Sequence, residues 1–128
     1  MRTLEQILKE CEEVQAILDS QPPHDEVELI VEKLNTLNSV ISWTGALYAE
    51  AAKLKDDAVA RYFMEEFSKI RQLSPQMAKD YVKARCAEEN YAVTLTEKLH
   101  KSAEKQSMAM MTIVSYKKGE MSMQRNGY

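Results

Sequence analysis

The sequence predicts an all-α fold: a short N-terminal helix packed on a long antiparallel helical hairpin, assembled into an oligomeric helical bundle. Three observations predict it. Apolar residues recur at helical spacing along two stretches, about Asp25 to Gln72 and about Ser74 to Lys118, and only Leu73-Ser74-Pro75 marks a turn between them. Each stretch would run roughly 65–70 Å at 1.5 Å per residue, and the match in length suits two arms of a hairpin. Three Gly and three Pro in 128 residues are too few for the turns of an all-β chain. One domain covering 1–128 is the natural division, with helices at about 4–19, 26–72 and 75–118 and a tail at 119–128.

The first helix opens on Thr3-Leu4-Glu5-Gln6, a capping box in which the Thr3 hydroxyl accepts from the Gln6 amide and the Gln6 side chain reaches back. Leu4, Ile7, Leu8, Cys11, Val14, Ile17 and Leu18 then supply the apolar face, and Pro22-Pro23 forces a stop. A second box, Asp25-Glu26-Val27-Glu28, opens helix 2. Val27, Ile30, Leu34, Leu37 and Ile41 step by three and four like a coiled-coil seam. The seam then shifts to Gly45, Tyr48, Ala52, Val59, Phe63, Phe67 and Ile70. Helix 3 starts at Ser74 as N-cap with Pro75 in the first turn, where its missing N–H costs nothing. Its apolar positions are Tyr81, Ala84, Tyr91, Leu95, Leu99, Ala103, Met110 and Ile113. Gly119 after Lys117 and Lys118 reads as its stop, although Glu120 leaves continuation open.

Folding helix 3 back at the turn sets Leu34 near Ile113, Leu37 near Met110 and Phe63 near Ala84. Gly45, Ala46 and Ala49 then face Leu99, Ser102 and Ala103, which makes Gly45 a packing residue rather than a hinge. Helix 1 is expected over the open end, near 27–41 and 107–117. The half next to the turn keeps no third layer, and a strip of that size normally marks an interface. Tyr48, Val59, Phe63, Phe67, Tyr81 and Tyr91 are the expected oligomer contacts, in a homo-oligomer built from paired hairpins.

Charge is uneven. Residues 1–60 hold 5 Lys/Arg against 12 Asp/Glu, whereas 61–128 hold 12 against 8. Two readings are open: a basic surface for an acidic partner, or acidic elements lying beside basic ones. The start of the chain has several charges and no long apolar run, and no stretch reaches the ~18 apolar residues of a membrane span. Cys11 and Cys86 stand apart and read as buried thiols in a reducing cytoplasm, so a cytoplasmic location with no membrane partner is expected.

Catalytic signatures are absent from the sequence: no Ser-His-Asp order, glycine-rich phosphate loop or histidine–cysteine cluster appears. Glu97-x-x-His100 has metal-ligand spacing, but a carboxylate-bridged centre needs two such pairs and two further glutamates. His24 reads as a loop residue, and Glu65-Glu66 and Glu88-Glu89 as surface acids. No enzyme activity, cofactor or metal is therefore expected.

Two sets of residues carry functional alternatives. Met108, Met110, Met111, Met121 and Met123 either fill the core where helix 1 meets the hairpin or form an adaptable docking surface. Lys79, Lys83, Arg85, Lys98, Lys101, Lys105, Lys117, Lys118 and Arg125 are interleaved with Tyr81, Tyr91 and Tyr116, as in grooves that bind single strands, with Lys79, Lys83, Lys98, Lys101 and Lys105 as the candidate contacts. Yet Glu88, Glu89, Glu97 and Glu104 are interspersed as on a solvated helix face.

Ser115-Tyr116-Lys117-Lys118-Gly119-Glu120-Met121, after the Met-rich turns, resembles the ending of small all-helical proteins from phage and prophage genomes of gut bacteria. The plan of a short helix and a long hairpin is similar to the UvsY-type recombination mediators of T-even phages, in architecture and over Trp43 to Ala52. That resemblance implies an oligomer that helps load a recombinase on single-stranded DNA, and it carries no binding residue over. The leading expectation is thus a non-enzymatic oligomeric assembly or interaction protein with a further, unidentified protein partner. A nucleic-acid accessory protein comes next, and then a small-ligand bundle for which Asn35, Asn38 and Asn90 are the polar hints.

Overall fold

The computed structural model describes residues 1–20 and 26–125. Its elements are α1 (Leu4–Asp19), α2 (Val27–Glu65), α3 (Phe67–Ile70), α4 (Pro75–Arg85) and α5 (Ala87–Arg125). No strand occurs among the described residues, so the fold class is all-α.

Two helix starts follow the local chemistry of the sequence. At α1 the Gln6 amide donates to Thr3 Oγ1 at 3.2 Å and the Thr3 amide donates to Gln6 Oε1 at 2.8 Å, closing the capping box. At α4 the Met77 amide donates to Ser74 Oγ at 3.3 Å, with Pro75 in the first turn. The box expected on Asp25 lies outside the described residues, as do His24, Pro22 and Pro23. Within them, Glu26 caps α2 without a side-chain hydrogen bond.

Both long helices depart from the expected spans. Helix 2 stops at Glu65, because the Glu66 backbone leaves the helical region at φ −115°, ψ 23°, and α3 is a separate turn. The return arm is interrupted in the same way at Cys86, φ −104°, ψ 26°. Beyond it α5 continues through Gly119 to Arg125, where a tail from 119 was expected. Gly119 does not take the left-handed conformation that ends a helix, so its flexibility costs some stability without stopping the element.

Helices α2 and α5 lie side by side. Asn38 meets Ser107, Thr44 meets His100 and Arg85 at the end of α4 meets Glu66, so residue numbers fall along one arm as they rise along the other. Ile30, Leu37 and Leu47 are fully buried against Ala92, Leu99 and Ala103, each large aliphatic side chain contributing about 1.5–3 kcal/mol by leaving water. The buried stripe is displaced from the expected seam. It runs through Val40, Thr44, Leu47, Ala51 and Ala58 on α2, leaving Tyr48 and Phe63 outside; on α5 it takes Ala92, Thr96, Ser107 and Val114, leaving Tyr91 and Ile113 outside. Small and hydroxylated residues fill the contact because their hydroxyls can donate within their own helix, Thr44 to Val40 O at 2.9 Å and Thr96 to Ala92 O at 2.8 Å. Ala46 and Ala49 are exposed, contrary to the expected close packing around Gly45.

Helix α1 covers the middle of the pair rather than the expected span near 27–41 and 107–117. At one end Lys33 Nζ donates to Ile17 O at 2.8 Å and Gln106 Nε2 to Leu18 O at 3.0 Å. Halfway along, Trp43 Nε1 donates to Glu10 Oε1 at 2.9 Å. At the other end the Arg2 amide donates to Glu50 Oε1 at 3.1 Å, and its guanidinium bonds both Glu50 and Glu10. Ile7, Cys11, Val14 and Leu18 fill the interface. Along α5, α1 thus extends from Gln106 down to Ala87 and Tyr91, and its contacts leave the Met108–Arg125 stretch and the α3–α4 segment aside.

Candidate functional site

The α3–α4 end holds a groove of about 710 Å³ between α2 and α4. Its wall on α2 is Val59, Phe63 and Met64; Ile70, Ala78 and Val82 form the opposite side. Lys55, Lys79 and Lys83 line it together with Asp56 and Asn90. Helical geometry sets these residues on one side: Lys55, Val59 and Phe63 step by four, and at ~100° per residue they lie about half a turn from Trp43 and Glu50, which hold α1. The groove therefore opens on the side facing away from α1. Phe63 is 45% exposed and Met64 78%. Phe67 meets Phe63 edge to face, with centroids 5.7 Å apart.

A charged and aromatic joint forms outside the groove lining, where the two helix breaks face each other. Arg85 Nη2 lies 3.1 Å from Glu66 Oε1, and the guanidinium groups of Arg61 and Arg85 sit 5.0 and 5.4 Å from the Tyr62 ring centre. Glu66 Oε2 is buried with no hydrogen-bond partner among the described residues. Cys86 is fully buried beside the joint, and burial pushes its thiol above the ordinary range, with Glu89 adding to the effect. Cys11, buried under α1, is pushed up to about 11 by burial and by Glu10. Both cysteines are free, and thiols held protonated in this way are poor nucleophiles.

The expected interface residues divide. Val59 and Phe63 line the groove and Phe67 stacks at its edge; Tyr48, exposed on α2 near Lys101, lies on the same side of the helix. Tyr81 is half-buried on α4 outside the lining. Tyr91 stands apart, with Leu4 and Leu8 of α1 and Ala87 and Glu88. The five lysines also divide: Lys79 and Lys83 line the groove, whereas Lys98, Lys101 and Lys105 follow one exposed face of α5. Lys101 is engaged by Glu97 at 3.0 Å, which raises its pKa.

Glu97 and His100 take different partners. His100 Nε2 contacts Glu104 Oε1 at 3.0 Å and its Nδ1 contacts Thr44 Oγ1 at 2.9 Å. Among the described residues no three His, Cys, Asp or Glu side chains are grouped to hold a metal, and no helix is long and apolar enough to cross a membrane. Of the polar hints, Asn38 accepts from Ser107, Asn90 borders the groove and Asn35 is exposed.

The methionine cluster is mostly surface. Met110 is 7% exposed and belongs to the core, but Met108 is 64% and Met123 58% exposed, because α1 does not reach them. Lys55, Met64 and Ala78 of the groove carry no signal of their own in the sequence. They become visible only once α4 folds back over α2. No known family, curated protein or solved structure matches the chain.

Proposed function

We propose that this chain is a non-enzymatic assembly module, a short helix on a long antiparallel helical hairpin that associates with further copies of itself and presents a surface to other proteins. One observation carries the reading: the side of the α3–α4 end facing away from α1 has no covering layer, leaving Phe63, Met64 and Phe67 in water together. Clustered apolar exposure of this kind is characteristic of contact surfaces. A second copy would supply the missing layer, and two hairpins would make a four-helix arrangement with closed symmetry. The contact is expected around Tyr48, Phe63 and Phe67. Sedimentation velocity of the wild type beside Phe67→Asp tests it, with at least tenfold weaker association expected for the variant. Identical sedimentation would rule out this contact.

A second reading, a single-strand-binding accessory protein, draws support from Lys98, Lys101 and Lys105 spaced along one exposed face of α5. Oligomerisation would repeat that row, and repeated weak contacts add through multivalency. Such binding must weaken steeply with salt as counterions are released. Fluorescence anisotropy with a labelled single-stranded oligonucleotide, wild type against Lys98→Glu/Lys101→Glu, is the test. Binding indifferent to salt and to charge reversal would remove this reading.

A further inference from the structure

We infer that the groove between α2 and α4 is a docking site for an acidic amphipathic helix of a partner protein. It rests on the proposed self-association and goes beyond it: the contact around Tyr48, Phe63 and Phe67 borders the groove and shares Phe63 with it. Three features of the groove identify its occupant.

The first is charge. Lys55, Lys79 and Lys83 line a mostly apolar trough that also holds Asn90, against the single acid Asp56. A symmetric groove-to-groove contact between two copies would bring these lysines together, and like charges in apposition disfavour that pairing. The second is the layout of the cations. Lys55 and Lys79 come from different helices at opposite ends of the lining, with Lys83 one turn from Lys79 on α4. A single-headed amphiphile needs a cation at one end only, whereas a helix with carboxylates along its flanks meets all three. The floor from Lys55 to Met64 is about 14 Å long, enough for the i, i+3/i+4 and i+7 anchors of a helix lying in a groove.

The third feature is the state of α4. It is an eleven-residue helix with no buried residue, close to the length at which isolated helices are marginal in water. Its apolar face, Ala78 and Val82, points into the groove and is half-covered. An inserted helix would complete that layer.

The test uses the full chain and two synthetic eighteen-residue helical peptides that share one leucine face, one flanked by glutamates and the other by lysines. The glutamate peptide is expected to bind at micromolar concentration, at least tenfold tighter than the lysine peptide. Lys79→Glu/Lys83→Glu should invert that preference. Both lysines are exposed, so the variant keeps its fold, and circular dichroism checks this. Methyl shifts in the wild type should map to Val59, Ile70 and Val82. Equal binding of the two peptides, shifts confined to Met108 and Met111, or no binding of either would overturn the assignment. So would a lysine reversal that changes the mass of the free protein, because a second copy would then be the occupant. Light scattering reads self-association independently of peptide binding, so failure of one proposal is distinguishable from failure of the other.

Discussion

His100 Nδ1 lies 2.9 Å from the hydroxyl oxygen of Thr44, a fully buried residue on the facing helix. The Thr44 hydroxyl also lies 2.9 Å from Val40 O, so it sits between its own helix carbonyl and the imidazole, and the ring tautomer sets which of the two receives its proton. On the other side of the ring, Nε2 meets Glu104. One side chain thus ties α5 to α2 at mid-length and fixes their register, which apolar packing alone specifies less sharply.

That bond should be visible as a coupling energy. In a double-mutant cycle of Thr44→Val and His100→Leu, measured by urea unfolding, the interaction term is expected at about 0.5–1.5 kcal/mol, the usual net worth of an intramolecular hydrogen bond. Strictly additive effects would show that the contact contributes nothing to stability.

Gly45 sits one position further along α2, and a Cβ there would meet only His100 Cε1 at 3.7 Å, an ordinary van der Waals contact. Glycine inside a helix costs roughly 0.5–1 kcal/mol relative to alanine, so Gly45→Ala should stabilise the protein by about that amount in thermal or urea unfolding. Destabilisation would restore the tight packing that the sequence suggests.

The sequence discloses the helices better than their contacts. Thr3 with Gln6, and Ser74 with Pro75, announce helix starts because capping is local chemistry, and both are found. The breaks at Glu66 and Cys86 have no such signal. Glu65-Glu66 and Arg85-Cys86-Ala87 contain neither glycine nor proline, and the interruption coincides with the Arg85–Glu66 contact across the two arms. The seam is legible only in part: Ile30, Leu37, Leu99, Ala103 and Met110 are buried as expected, whereas Tyr48, Phe63, Tyr91 and Ile113 are exposed. Periodicity of large apolar residues does not flag Thr44, Thr96 and Ser107, which are buried in the contact. In the groove, Val59 and Phe63 are legible as surplus apolar residues, but the lysine rim depends on how α4 turns over α2.

Acid should loosen α1 first. The Arg2 backbone amide, followed by its guanidinium, holds the Glu50 carboxylate below its ordinary pKa of 4.5. A depressed carboxylate pKa stabilises the fold at pH above the ordinary value, and the contribution disappears as pH falls through the lowered one. Trp43, the single tryptophan, lies in the same α1 interface through Glu10. Its emission should therefore shift to the red as pH falls from above 4.5 through the lowered pKa of Glu50. Glu50→Gln should show a smaller pH-dependent change, and an identical acid profile would separate Glu50 from the docking of α1.

Self-association is the central claim, and mass in solution tests it most directly. Light scattering at micromolar concentration should return at least twice the 14.7 kDa of one chain, with a fully helical circular dichroism spectrum. A stable, fully helical species of 14.7 kDa under those conditions would contradict the account.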